Sequence, residues 1–277
     1  MLGAMTAPER ESNLFRALLR HHRSGRGMSQ LDLSIAAEVS CRHISFLETG
    51  RAQPSREMVL RLAAALGLGL RDANALLQAA GLPRAFPESR VDAPWPPAIE
   101  RVIARMLAQQ EPYPMVVLNA RYDLLRANRS ASQLMARFVR DPAALREPIN
   151  VLHLIFHPDL MRPYLEDWPE LARSLLTRLQ REAIGRLSDD AILELVRELC
   201  TYPGVPEDWR QPALDLPLTP AVEFGMQRDG MRVRFLTTVT VFNAPLDVAL
   251  EDIQLESYFP VDDATEALCR ELCSAPG

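Results

Sequence analysis

The chain has 277 residues, 48% of them hydrophobic and 24% charged, with a formal net charge of −5, the profile of a globular protein with room for one large or two modest domains. No apolar run reaches the roughly 18–20 residues a membrane-spanning helix needs, and the start, MLGAMTAPERES, lacks the basic flank and apolar stretch of a signal peptide. A cytoplasmic protein is expected. The cysteines, Cys41, Cys200, Cys269 and Cys273, are scattered, which suits reduced thiols better than a disulfide framework. Every basic residue is arginine, with 10 against 7 acidic residues through residue 80 and 21 against 29 after it. A mildly basic head on an acidic body fits a nucleic-acid-binding module joined to one that does not touch nucleic acid.

In chain order, the first helix is predicted from Asn13 to about Arg23, with Leu14, Phe15, Leu18 and Leu19 on one stripe. Ser29 is an N-cap, and Asp32 completes a capping box. The helix it opens puts Leu33 and Ala37 on one face, with Ser34 small enough for a second helix to cross closely. The turn runs through Glu38 and Val39. Ser40 caps the next helix, whose buried face is Ile44 and Leu47 and whose exposed set is Ser40, Cys41, Arg42, His43, Ser45 and Thr49. Gly50 closes it with a left-handed or loop residue. A short helix held from behind, with a polar N-terminal tip, is what reading a DNA groove requires. Arg42 is the candidate for bidentate readout of guanine, against the plainer role of neutralising a phosphate; His43 and Ser45 reach base edges or phosphate. Arg51 and Arg56 are placed to grip phosphate, and Phe46 is expected to be half exposed. A fourth helix from Pro54-Ser55 carries Met58, Leu62, Ala65 and Leu66 at core spacing. A fifth runs from Asp72 to Ala80, ended by Gly81.

Residues 83–97 hold Pro83, Pro87, Pro94, Pro96 and Pro97, a semi-rigid linker. The expected organisation is a head of residues 1–82, this linker, and a second domain of residues 98–277. That domain opens with a helix from Ala98 to Gln109. YPMVVLNARYDLLRAN follows as a β-hairpin, and then a helix capped by Asn128. Helical segments are predicted at about 150–157, 168–185 and 189–200. The period then switches to two over Met231–Phe242, joined to the run 221–227 by an Arg228-Asp229-Gly230 turn. Asp252–Phe259 gives another strand and Ala264–Cys273 a terminal helix. The fold class is an all-α head of five helices followed by an α+β domain, an antiparallel sheet with helices on one face.

The pattern Q-x-x-L-S-x-x-A-x-V-S-x-x-x-I-S-x-L-E-x-G at Gln30–Gly50 resembles the phage-repressor-like (XRE, Cro/CI-type) helix-turn-helix family, whose head is lambda-repressor-like. That family usually has glycine where this chain has Glu38, which then sits at positive φ at a cost of about 1 kcal/mol. In it the residue matching Gln30 contacts the DNA backbone. The stretches SFLETGRAQPSREMVLRLA (45–63), PYPMVVLNARYDLLRAN (112–128), NVLHLIFHPDLMRPYLEDW (150–168) and LTTVTVFNAPLDVALEDIQLESYFPVDDAT (236–265) resemble bacterial regulators with an MmyB-like, PAS-like ligand-binding domain. The resemblance implies a transcription factor whose sensor domain encloses an apolar cavity for a fatty-acid-like effector.

The alternating strand Val233, Phe235, Thr237, Val239 must face something. One reading is a helix layer packed on the sheet. The other is a ligand cavity with Phe156, Leu160, Leu171, Leu175 and Phe235 in its walls and Thr237, His157, Arg162 or Tyr164 at a head group. Packed core and pocket use the same residue types, so the sequence leaves both open. His153 and His157 are four apart but lack the glutamate of a zinc-hydrolase motif. Cys269 and Cys273 share a helical face without completing a zinc set. No metal, cofactor or catalytic constellation is expected. The expected partners are an operator in double-stranded DNA, a second copy of the chain and a small apolar effector. The alternative is a protein-interaction module with a ligand-free dimerisation domain.

Overall fold

The computed structural model describes residues 7–87, 95–146, 148–185, 190–210, 223–242 and 247–274. Contacts divide the chain into two units. Of the described residues, the first contains 7–87 and 247–251, and the second contains the rest.

Five helices build the first unit: α1 (Ala7–Gly25), α2 (Gln30–Ala36), α3 (Cys41–Thr49), α4 (Arg56–Ala65) and α5 (Leu70–Ala79). The α1 helix starts six residues before the predicted Asn13. Pro8 does not break it, because at a helix start the missing N–H would have no partner anyway. Its predicted stripe is also narrower: Phe15 and Leu19 are buried, whereas Leu14 is 52% exposed. The capping box forms in full, with Asp32 N donating to Ser29 Oγ at 3.1 Å and Ser29 N to the Asp32 carboxylate at 2.8 Å. Glu38 has φ 54°. Leu33, Ala37, Ile44, Leu47, Val59 and Leu62 form the core with Phe15 and Leu19.

One carboxylate lies inside this unit. Glu48, on α3, is 2% exposed. Arg23 of α1 grips it with two bonds, Nε to Oε1 at 2.6 Å and Nη2 to Oε2 at 3.1 Å. Gln30 of α2 donates through Nε2 to Oε2 at 2.8 Å. Burial alone would raise the Glu48 carboxyl, but the hydrogen bonds from Arg23 and Gln30 outweigh it and hold the group below its ordinary value of 4.5.

Gly69, at the N-cap of α5, offers no side-chain cap. The carboxylate of Glu251, on the short α11 (Val248–Glu251), takes that role, accepting from Leu70 N at 2.9 Å and Arg71 N at 3.3 Å. The true start of α5, two residues before the predicted Asp72, follows from this distant partner. Residues 85 and 86 are held by Asn74, whose Oδ1 accepts from both backbone N–H groups and whose Nδ2 donates to Phe86 O.

The second unit opens with α6 (Pro97–Gln110) and the hairpin β1 (Met115–Leu118) and β2 (Leu124–Ala127). Next come α7 (Arg129–Phe138), α8 (Val151–Phe156), α9 (Trp168–Gly185) and α10 (Asp190–Leu199). Strands β3 (Glu223–Arg228), β4 (Met231–Val241) and β5 (Gln254–Pro260), then α12 (Asp263–Ser274), complete it. The β3–β4 hairpin turns through Asp229 at φ 52° and Gly230 at φ 79°, the paired positive φ of a two-residue turn. The run expected at 221–227 begins at Glu223, since 221 and 222 lie outside the described residues. The sheet is antiparallel throughout in the order β2-β1-β5-β4-β3, with Val117 opposite Leu255 and Thr237 opposite Tyr258. This is the expected α+β arrangement. Asn128 pins α7 to the sheet: its Oδ1 accepts from Ala131 N and Met115 N while its Nδ2 donates to Tyr113 O. Trp95, in the proline-rich stretch, lies under the Arg126 guanidinium of β2 at 5.2 Å.

Glu48→Ala should destabilise the helical unit by about 3–5 kcal/mol, because it strands Arg23 without its partner. Since the folded value of Glu48 is depressed, its contribution is present above pH 4.5 and is lost as pH falls through the folded value; urea unfolding across pH 3 to 7 should give a steeper acid loss in wild type than in Glu48→Gln. Glu251→Ala should cost about 1 kcal/mol, read as faster amide exchange at the first turn of α5.

Candidate DNA-reading face and ligand cavity

The outward face of α3 is created by what its inward face buries. Ile44 and Leu47 have no exposed surface, so the residues between and ahead of them point away from the core. Ser40 caps the helix, its Oγ accepting from His43 N at 3.2 Å. Cys41, His43 and Ser45 are half-buried, and Arg42, Thr49 and Arg51 are exposed. Thr49 donates its hydroxyl to Ser45 O at 2.7 Å, which ties it to its own helix. Phe46 is half-buried, with Arg42 at 5.1 Å and Arg51 at 5.9 Å from its ring. These cation–π contacts hold two guanidinium groups near one aromatic on the outward side of α3. Gly50 sits at φ 76°, the left-handed backbone that favours glycine; a Cβ there would lie 2.6 Å from the Arg16 guanidinium, the mobile end of a long side chain.

Gln30 is half-buried at the start of α2. A carboxylate only accepts, so the Glu48 bond commits one N–H of the Gln30 amide and leaves the other. The Arg23–Glu48–Gln30 arrangement was not anticipated from sequence. Its one local signal was Glu48 itself, a carboxylate at the helical position directly following buried Leu47.

In the second unit a cavity of about 90 Å³ lies between sheet and helices. Its walls are mostly apolar, with Val116, Leu134, Met135, Ile155, Leu165 and Met226 among them. The polar lining gathers Tyr122, Arg178, Thr237, Glu256 and Tyr258. Arg178 of α9 donates to Glu256 Oε1 at 3.3 Å and to Gln254 Oε1 at 3.1 Å. Tyr258 donates its hydroxyl to Glu256 Oε2 at 3.1 Å. Burial first, then the Glu256 charge, pushes the Tyr258 phenol well above its ordinary range, so it stays a donor at neutral pH.

Of the nine residues proposed for the cavity, Leu171, Leu175 and Thr237 line it. Phe156 is fully buried against Trp168 at a ring separation of 5.8 Å. Phe235 is fully buried beside Phe224 and Tyr258. His157 stacks edge-on with Tyr202 at 5.6 Å. Arg162 donates to Pro203 O and lies 3.5 Å from the Trp168 ring centre. Tyr164 carries Arg228 at 4.6 Å over its ring, and Leu160 packs beside it in the cluster around Phe235. Sequence reasoning passed over Arg178, Glu256 and Tyr258: Arg178, on α9, lies 78 residues before Glu256, and Tyr258 stands two residues beyond Glu256 on β5.

His153 bonds Tyr202 Oη through Nδ1 at 2.9 Å, and no group of metal ligands occurs among the described residues. Burial pushes the Cys269 thiol up to about 11, as suits a core cysteine.

Residues 14–77 match the family model of a helix-turn-helix domain, and residues 99–272 match that of the MmyB-like transcription regulator ligand binding domain. No curated protein matches the chain in sequence. A solved structure of an RNA-binding light-oxygen-voltage receptor is 14% identical, with 99% of this chain and 67% of that chain covered and a TM-score of 0.30. With a buried-backed, arginine-tipped helix at one end and an apolar cavity in the domain that accounts for most of its length, the chain belongs to the MmyB-like family of transcription regulators, a helix-turn-helix DNA-binding domain followed by a ligand-binding domain.

Proposed function

We propose that the protein binds a partly symmetric operator as a homodimer in the cytoplasm and that a small apolar effector in the second domain biases this binding. The observation that carries the reading is the exposure of Arg42 at the tip of a helix whose back, Ile44 and Leu47, is wholly buried. In this reading Arg42 pairs with a guanine edge. Ser40, Cys41, His43 and Ser45 approach the groove beside it, while Thr49 and Arg51 lie toward the far end of the helix. Gln30, with its second amide N–H, and the free N–H groups at the start of α2 meet a phosphate. Two copies place their recognition helices about 34 Å apart in successive major grooves. The cavity supports the effector, and the family resemblance gives that effector a hydrocarbon body of the fatty-acid type. Such a ligand shifts DNA binding only through unequal affinity for the competent and incompetent arrangements.

Fluorescence anisotropy on the duplex upstream of its own gene, and on a scrambled duplex, tests this. Binding should weaken about tenfold or more between about 50 and 200 mM salt, as counterion release requires. Arg42→Ala should cost about 1–3 kcal/mol at the cognate site and relax discrimination, whereas Gln30→Ala should weaken both duplexes evenly. Equal losses on both duplexes for both variants would remove Arg42 from base readout, and wild type that binds neither duplex would favour a protein-interaction module.

A further inference from the structure

After β4 the chain leaves the sheet, contributes α11 to the helical unit, and returns as β5. Among the described residues it passes between the two units at a single point, the peptide bond from Glu251 to Asp252. On one side of that bond is the helical unit. Glu251 caps α5 there through Leu70 N at 2.9 Å and Arg71 N at 3.3 Å. Val248, wholly buried, donates its N–H to Pro87 O at 3.1 Å. Gly69 leaves room for the carboxylate, since a Cβ there would overlap Glu251 Oε1. On the other side is the cavity. Gln254 is paired with Leu118 of β1 and Val241 of β4. Arg178, in the cavity wall, donates to Gln254 Oε1 and to Glu256 Oε1.

Only Asp252 and Ile253 separate Glu251 from Gln254, and Ile253 is 1% exposed. Three residues reach at most about 11 Å, so this stretch has no slack in which a displacement of β5 could be lost. The cap is sensitive to small movements. About 0.3 Å of lengthening takes the Arg71 bond beyond hydrogen-bonding distance. An uncapped first turn frays, because its N–H groups have no partner within the helix. Capped and frayed turns are the two discrete arrangements that a coupling needs. From α5 the effect reaches α3 through one core cluster, in which Leu76 and Leu77 lie with Phe15, Leu19, Ile44 and Leu47. Arg26 of α1 adds a bond from Nη2 to Gly67 O, just ahead of α5, at 3.1 Å.

Resting on the reading that this cavity is the effector site, we infer that α11 carries its regulation: a head group that engages Arg178 moves the start of β5, and Glu251 passes that movement to the first turn of α5. The switch is the Glu251 cap, and Arg178 is the residue that sets it from the cavity. Because coupling is reciprocal, loosening the cap also loosens the start of β5.

Native-state amide exchange on the full chain, followed by NMR, reads this coupling residue by residue. Arg178→Met should speed exchange at Leu70 and Arg71 at least threefold while leaving Val59 and Leu62 of α4 unchanged, which separates loss of the cap from general destabilisation. Gln254→Leu removes one acceptor of Arg178, keeps the Glu256 pair, and should speed the same two amides at least twofold; it stands in if Arg178→Met does not fold. Arg178→Met combined with Glu251→Ala should be no faster at Leu70 and Arg71 than Glu251→Ala alone, since both act through one bond. Glu251→Ala should in turn speed exchange at Gln254 and Glu256. Leu70 and Arg71 unmoved by the cavity variants, or additive losses in the double variant, overturn the inference. Hexanoate serves as the probe for the effector reading. If it slows exchange at Val116 and Met226 in the cavity wall and leaves Leu70 unmoved, the coupling fails and the effector site stands. If it leaves the cavity wall unmoved, the effector reading fails for this class of ligand, while the variants decide the coupling without it.

Discussion

The placement of the recognition helix depends on one buried carboxylate. Glu48 sits on α3 one turn beyond buried Ile44, and its side chain lies inside the protein. An unpaired carboxylate there would be prohibitive. Arg23 from α1 and Gln30 from α2 make it tolerable, and in doing so they bind three helices to a single arrangement. Replacing such a pair with apolar residues of the same volume is often neutral or stabilising. What the pair supplies in this head is therefore geometry: the rotation of α3 about its axis, and with it the direction of Arg42, is tied to α1 and α2.

The same network joins Gln30, the residue proposed to meet a phosphate, to the scaffold. Gln30 stands at the start of α2, where the free backbone N–H groups favour an anion, and its amide is oriented by Glu48. Side chains that meet DNA gain most when their rotamers are set before binding, because less freedom is then lost. Arg42 and Arg51, stacked near Phe46, are restrained by a different interaction to the same effect.

The second domain applies opposite logic. There Arg178 and Glu256 close on each other beside the cavity instead of orienting a surface. Alternation along β4 put Val233, Phe235 and Thr237 on the inward side of the sheet, but Val239, the fourth residue of that stripe, is 41% exposed. It could not say which of them meets a neighbour and which a void. Phe235 is enclosed by Phe224 and Tyr258, while Thr237, two residues on, borders the cavity. That difference comes from the α7, α8 and α9 side chains opposite each position, and periodicity carries no record of them.

The amino-acid sequence by itself determined the features whose partners are close along the chain. Ser29 with Asp32, Ser40 with His43 N, Asn128 with Ala131 N and the Asp229-Gly230 turn each close over two to four residues, so local geometry alone selects them. The helix-turn-helix, with Ile44 and Leu47 behind and Arg42 ahead, is built from such pieces and could be read in advance. Only the tertiary structure decided the long closures: Glu251 capping α5 from about 180 residues away, Arg23 and Gln30 reaching Glu48, and Arg178 meeting Glu256. In each, a polar group removed from water must find a partner, and which partner comes within bonding distance is set by how whole elements pack.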